Sequence, residues 1–188
     1  MPVMDIATEV AETHEEELLP FNRIERELRK KTFGILSTVD PKGRPHATGL
    51  IFAVSSPEDS FAIYMITQRK SAKVRYIKNN PNVSLLVTFP HYYLKFIPDS
   101  TIMFRGIAEL TSTEDEEAQR AFAQKKLTRM NLELDPEVLK DSVVIRIKPK
   151  STVYCYGIGI GLNQLRKDPT AARYKVVIPQ NRRGGDER

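Results

Sequence analysis

The chain has 188 residues, 40% hydrophobic and 28% charged, enough for one domain with a core of its own. No apolar run approaches the roughly 20 residues of a membrane-spanning helix, and the single cysteine, Cys155, excludes an intrachain disulfide and a cysteine-built metal cluster. The formal charge of +5 hides an asymmetry: residues 1–19 hold six acidic groups and no Lys or Arg, which leaves 29 basic against 18 acidic groups, a balance of +11, in the remainder.

Residues 1–19 read as an acidic leader. It lacks the basic-then-apolar order of a signal peptide, so the expected location is cytoplasmic. From Phe21 to Lys31, Phe21, Ile24 and Leu28 recur at helical spacing and predict an amphipathic helix. TFGILSTV is β-type and ends in Asp40-Pro41-Lys42-Gly43, a tight-turn sequence. RPHATGLIFAVS predicts a second strand, Ser56 to Asp59 a turn, and FAIYMIT a third strand with Phe61, Ile63, Met65 and Thr67 on one face. Ser71 to Asn79 predicts a short helix with Ser71 as N-cap and Asn-Asn-Pro as its stop.

VSLLVTF is a continuous apolar run, which predicts a strand buried on both faces. HYYLKFIPDS is a connection, and TIMFRGIAELTS a further strand in which Gly106 marks a bulge. Thr113 to Met130 predicts one helix, acidic at its start and basic towards its end, as the helix dipole favours. SVVIRIKPKSTVYCYGIG predicts a last long strand, and the glycines from Gly157 to Gly161 a flexible exit from the sheet. The expected fold is mainly β: about six strands in consecutive hairpins, closed as a small antiparallel barrel over residues 20–160. The basic tail, 161–188, is weakly patterned and its end is expected to be disordered.

The chemistry concentrates between the third strand and the short helix. Thr67 leaves the strand on its core side, Ser71 opens the helix, and the amides of Ala72, Lys73 and Val74 are unpaired donors at its positive end. With the Lys73 ammonium these groups suit a phosphate. An ordinary capped turn with solvated lysines is the competing reading. His46 and His91 are two of the three histidines; each is a candidate proton donor or ligand, and each has a plain structural reading. Cys155 reads as a buried small hydrophobe. Arg105 either pairs with an acid or approaches a ligand. An RNA-binding sheet would need aromatic and basic residues interleaved on its strands, and that signature is not evident.

The order of these elements resembles the FMN-binding split-barrel family typified by the pyridoxamine 5'-phosphate oxidases, from about Phe21 to Tyr156. The resemblance implies a split β-barrel and a homodimer with FMN at the subunit interface, so that VSLLVTF and its neighbours are partly interface. It implies that Thr67, Ser71 and Lys73 hold the phosphate, with Ile66 and Ala72 beside them. It further implies that the backbone of His46, Ala47, Thr48, Gly49 and Leu50 lies along the isoalloxazine edge, Gly49 permitting close approach. The implied activity is flavin-dependent oxidation or reduction of a small molecule, with His46 the candidate catalytic side chain. Two departures stand out: Ala72 occupies a position where many relatives have Arg, and no Arg-x-His substrate motif follows Tyr156. The alternatives are a deazaflavin-dependent reductase on the same barrel, or a flavin- or haem-binding protein without turnover. Haem would require His46, His91 or Tyr92 as axial ligand.

Overall fold

Phe21, Ile24 and Leu28 bury one face of a helix over 20–28 (α1), each no more than 1% exposed. The computed structural model describes residues 20–91, 98–130, 132–133, 135–160 and 172–184. The acidic leader, Tyr92 and the chain end from residue 185 lie outside them. Strands β1 (Phe33–Val39) and β2 (Pro45–Ile51) form the expected hairpin, from Phe33 opposite Ile51 to Val39 opposite Pro45. In its turn the Asp40 carboxylate accepts the Lys42 and Arg44 N–H groups at 2.8 and 2.9 Å, and Gly43 adopts φ +80°.

The single strand expected over 44–55 breaks at Phe52. Phe52, Ala53 and Val54 are all buried, which a straight strand with one outward face cannot achieve, so the chain bends. The Phe52 N–H bonds the Thr32 carbonyl (2.8 Å), and β3 (Ala53–Val54) pairs with β4 (Ile63–Gln68) instead. Both faces of β4 are covered. Ile63 and Met65 enter the main core, whereas Tyr64 and Ile66 face a second cluster under the helix that carries Ala118, Ala121 and Phe122.

Helix α2 (Ala72–Asn79) leads into β5 (Asn82–Phe89). This strand corrects the expectation of two buried faces: Val83, Leu85 and Val87 are buried, but Ser84 and Leu86 between them are only half-buried, because no further layer covers that side among the described residues. In β6 (Ser100–Thr111) the register slips between Phe104 and Gly106, the expected bulge, and a side chain at Gly106 would strike the Lys148 carbonyl. The helix expected over 113–130 is two, α3 (Glu116–Ala123) and α4 (Lys126–Arg129), parted where Lys125 is extended. Side chains compensate for the break: Lys125 donates to the Lys31 carbonyl (2.8 Å), Gln124 to Val54 (3.0 Å) and Thr128 to Phe122 (2.7 Å). A short α5 (Pro136–Lys140), capped by Asp135, was not predicted.

The sheet order is β2-β1-β5-β6-β7-β4-β3, all antiparallel, a curled split barrel around one core. Its spine is β7 (Ser142–Tyr156), whose first half pairs with β4 and whose second half pairs with β8 (Arg173–Val177). Strand β8 corrects the reading of the tail: Val176 and Ile178 join the main core, so the barrel continues past residue 160. The glycine run is no loose exit in its described part. Gly157 and Gly159 take φ near +70°, the Gly157 N–H bonds the Ala172 carbonyl (3.0 Å) and Arg23 holds the Gly159 carbonyl (3.2 Å).

Candidate functional site

Thr67 sits near the end of β4, opposite Val143 of β7. The turn that follows is fastened to the start of β7: the Arg69 N–H bonds the Asp141 carbonyl (2.7 Å), and the Arg69 guanidinium bonds the Ser142 carbonyl (2.9 Å). Arg69 is thus tied to the start of β7 through its backbone and one guanidinium nitrogen. Val74 and Ile77 bury one face of α2, and this fixes the helix so that Lys73, one residue earlier, stays at the rim. The first helical bond of α2 runs from the Arg75 N–H to the Ser71 carbonyl (3.3 Å), and the amides of Ala72, Lys73 and Val74 precede it.

Two side chains of this turn are already together. Lys73 Nζ donates to Thr67 Oγ1 at 3.2 Å, and burial lowers the Lys73 pKa. Ser71 departs from expectation. It occupies the N-cap position, yet its hydroxyl makes no capping bond; Ser71 Oγ is buried without a hydrogen-bond partner. A buried orphan hydroxyl is costly, of the order of 1–3 kcal/mol. Here it lies at a helix N-terminus two residues from an ammonium, where an acceptor of the right size would satisfy hydroxyl, amides and cation together. Ile66 and Ala72 are half-buried alongside.

Strand β2 lies at the edge of the sheet, against β4, so among the described residues its outward backbone groups pair with no further strand. The His46 ring stands edge-on to Tyr76 of α2, centroids 5.4 Å apart at 75°, and His46 Nδ1 lies 3.4 Å from Thr48 Oγ1. His46 and Thr48 are half-buried, Ala47 and Gly49 exposed, Leu50 half-buried. The structure thus brings His46–Leu50 and the Thr67–Lys73 turn to one end of the barrel. It does not bring His91, whose Nε2 meets Ser100 Oγ at 3.1 Å.

Two neighbours were missed. Tyr76 was invisible because its partner is 30 residues away in sequence. Phe33 packs its exposed ring over Gly49, so that a Cβ there would fall 2.4 Å from Phe33 Cζ; the expected flat neighbour of Gly49 is occupied by this chain's own ring. Among the described residues Arg105 pairs with no acid; it stacks on Tyr154, 5.0 Å from its centroid. Cys155 is buried as expected, its thiol pushed up to about 12 by burial.

The family model of the pyridoxamine 5'-phosphate oxidases matches residues 22–156. Among solved structures, a haem-binding protein from Mycobacterium smegmatis superposes with a TM-score of 0.59 at 14% identity, over 81% of this chain and 55% of that one. A candidate pyridoxamine 5'-phosphate oxidase from Listeria innocua gives 0.52 at 20% identity, over 71% and 95%. A haem storage protein from Vibrio cholerae gives 0.51 at 20% identity, over 83% and 98%. At these identities the likeness is one of fold. No curated protein matches the chain significantly.

Proposed function

The chain belongs to the pyridoxamine 5'-phosphate oxidase family, and on that premise we propose that it binds FMN non-covalently and acts as a flavin-dependent oxidoreductase on a small molecule. The observation that carries this reading is the unpartnered Ser71 hydroxyl beside the Lys73–Thr67 pair. Ser71, Thr67, Lys73 and the first amides of α2 would hold the phosphate. The free edge of β2 from His46 to Leu50 would align the ring, and His46 is the candidate for a proton transfer there. When bound, the flavin supplies two-electron redox chemistry; the protein supplies binding, orientation and electrostatics.

A homodimer is part of the proposal. On the face of the sheet turned away from the core, Ile35, Leu86, Met103 and Tyr154 stand opposite one another across β1, β5, β6 and β7. All four are half-buried, and Phe33 beside them is 59% exposed. Such a row suits a second copy of the chain. Flavin absorption of the purified protein, or saturable quenching of FMN fluorescence on titration, tests the cofactor. Unquenched FMN at excess protein overturns it.

Haem is the second reading, favoured by the two neighbours whose names record haem and by the half-buried His46 ring. A Soret band on haem titration that disappears in His46→Ala would carry it. A deazaflavin coenzyme, with its longer anionic tail, is the remaining alternative, for which the exposed Arg75 and Lys70 lie close to the cradle in sequence. Parallel titrations with FMN and the deazaflavin decide between these two.

A further inference from the structure

We infer that the chain carries a second binding site, remote from the phosphate cradle, for a small organic anion with an apolar body. The segment after β8 builds it. The Ile178 N–H bonds the Ser151 carbonyl (2.7 Å), and the Phe61 N–H bonds the Arg182 carbonyl (2.6 Å), which stitches residues 178–182 between β7 and the approach to β4. The Glu25 carboxylate, 8% exposed, accepts from Arg29 (2.5 Å) and Arg182 (3.0 Å) and pins this segment to α1.

Between the segment and the bulged stretch of β6 and β7 opens a cavity of about 640 Å³, within the range of small-molecule sites. Ile107, Pro149 and Ile178 give it an apolar wall. Among the described residues its charged lining is Lys148, Lys150 and Arg182 against one carboxylate, Glu109, while Arg183, also at the rim, donates to the Ile178 carbonyl (2.6 Å). Glu109 is matched by Lys148 at 2.7 Å. Glu25 is shared by Arg29 and Arg182, so that trio keeps one positive charge. Lys150 stands exposed. A positive balance over an apolar wall attracts an anion and rewards one that brings apolar surface to displace water. The cavity is not a subsite of the cradle within this chain. Thr67, Ser71 and Lys73 do not line it, and Phe61 and Thr67 lie six residues apart along an extended run, roughly 20 Å.

The probe is 8-anilinonaphthalene-1-sulfonate, with its uncharged parent N-phenyl-1-naphthylamine as control, titrated by fluorescence into the full chain. Gly184 lies at the cavity; an added Cβ there meets only Ser60 at 3.7 Å, an ordinary contact, so Gly184→Asp introduces a carboxylate without strain. The sulfonate is expected to bind about tenfold tighter than the neutral parent, and Gly184→Asp and Lys150→Glu each to remove about that tenfold while leaving the neutral probe unaffected. FMN at the concentration that just saturates the cradle does not displace it. Equal affinity for the two probes, sulfonate binding unmoved by Gly184→Asp, or displacement in step with the filling of the cradle by FMN would each overturn the assignment.

Discussion

The clamp around Glu25 and the cradle around Ser71 are both polar clusters with buried atoms, and they differ in whether the protein completes them. Glu25 receives Arg29 and Arg182, and Arg29 goes on to the Ser55 carbonyl (2.6 Å) and Gln124 (2.7 Å), which ties α1, the loop after β3, the α3–α4 junction and the C-terminal segment together. One atom there, Arg182 Nε, lacks a partner, but its guanidinium is otherwise held. At the cradle a whole hydroxyl is unpartnered among the described residues, and the ammonium donates to Thr67. A closed cluster serves the fold. An open one stores hydrogen-bonding capacity for something else.

The largest effect expected from this contrast is in the clamp. Glu25→Ala leaves two partly buried guanidinium groups without their counter-charge and should cost about 3 kcal/mol in urea unfolding. A loss below about 1 kcal/mol would break the comparison. At the cradle the cost should fall on the ligand instead: Lys73→Ala should weaken FMN by about 1–3 kcal/mol with little change in the unfolding midpoint. The pH dependence sharpens this. Burial lowers the Lys73 pKa from the ordinary 10.5, so its charge is lost at a lower pH than that of an exposed lysine. The difference in FMN affinity between wild type and Lys73→Ala should therefore shrink as pH rises, beginning below 10.5. A difference that stays constant across that range would mean the ammonium does not contact the phosphate.

Much of the barrel was legible because its signals are local. The spacing of Phe21, Ile24 and Leu28, the Asp40–Gly43 turn and the bulge at Gly106 each declare themselves within a few residues. What was lost depends on distant partners. RYKVV carries too short a pattern to declare itself, and only β7 makes it a strand. The break at Lys125 needs the carbonyls of Lys31 and Val54, some 70 to 94 residues away. VSLLVTF looked doubly buried because its apolar residues are consecutive, yet among the described residues no second layer covers Ser84 and Leu86. At the site, the residue types and their order were readable. That Ser71 would fail to cap was not, since an N-cap serine and an orphaned one are the same letter.

That orphan gives the next effect, smaller and of opposite sign in two measurements. Ser71→Ala removes a hydroxyl that makes no cap bond, so the ligand-free protein should gain up to about 1 kcal/mol in stability. FMN binding should weaken by a similar amount. Loss of stability instead would mean that the hydroxyl caps α2 in solution, and the contrast with the clamp would narrow.

The smallest effect separates two accounts of Gly49. An alanine there meets the far end of the Phe33 ring, 59% exposed and free to swing aside, while the loss of a glycine restricts the unfolded chain. These terms oppose, and the net stability change should stay within about 1 kcal/mol. Flavin affinity carries the information. If Gly49 is glycine only to accommodate Phe33, then Phe33→Ala combined with Gly49→Ala binds FMN as the wild type does. If the strand edge at Gly49 also lies against the cofactor, the loss of affinity in Gly49→Ala survives in the double variant, because removing the phenyl ring frees the space above residue 49 but does not move the new methyl group out of the flavin's way.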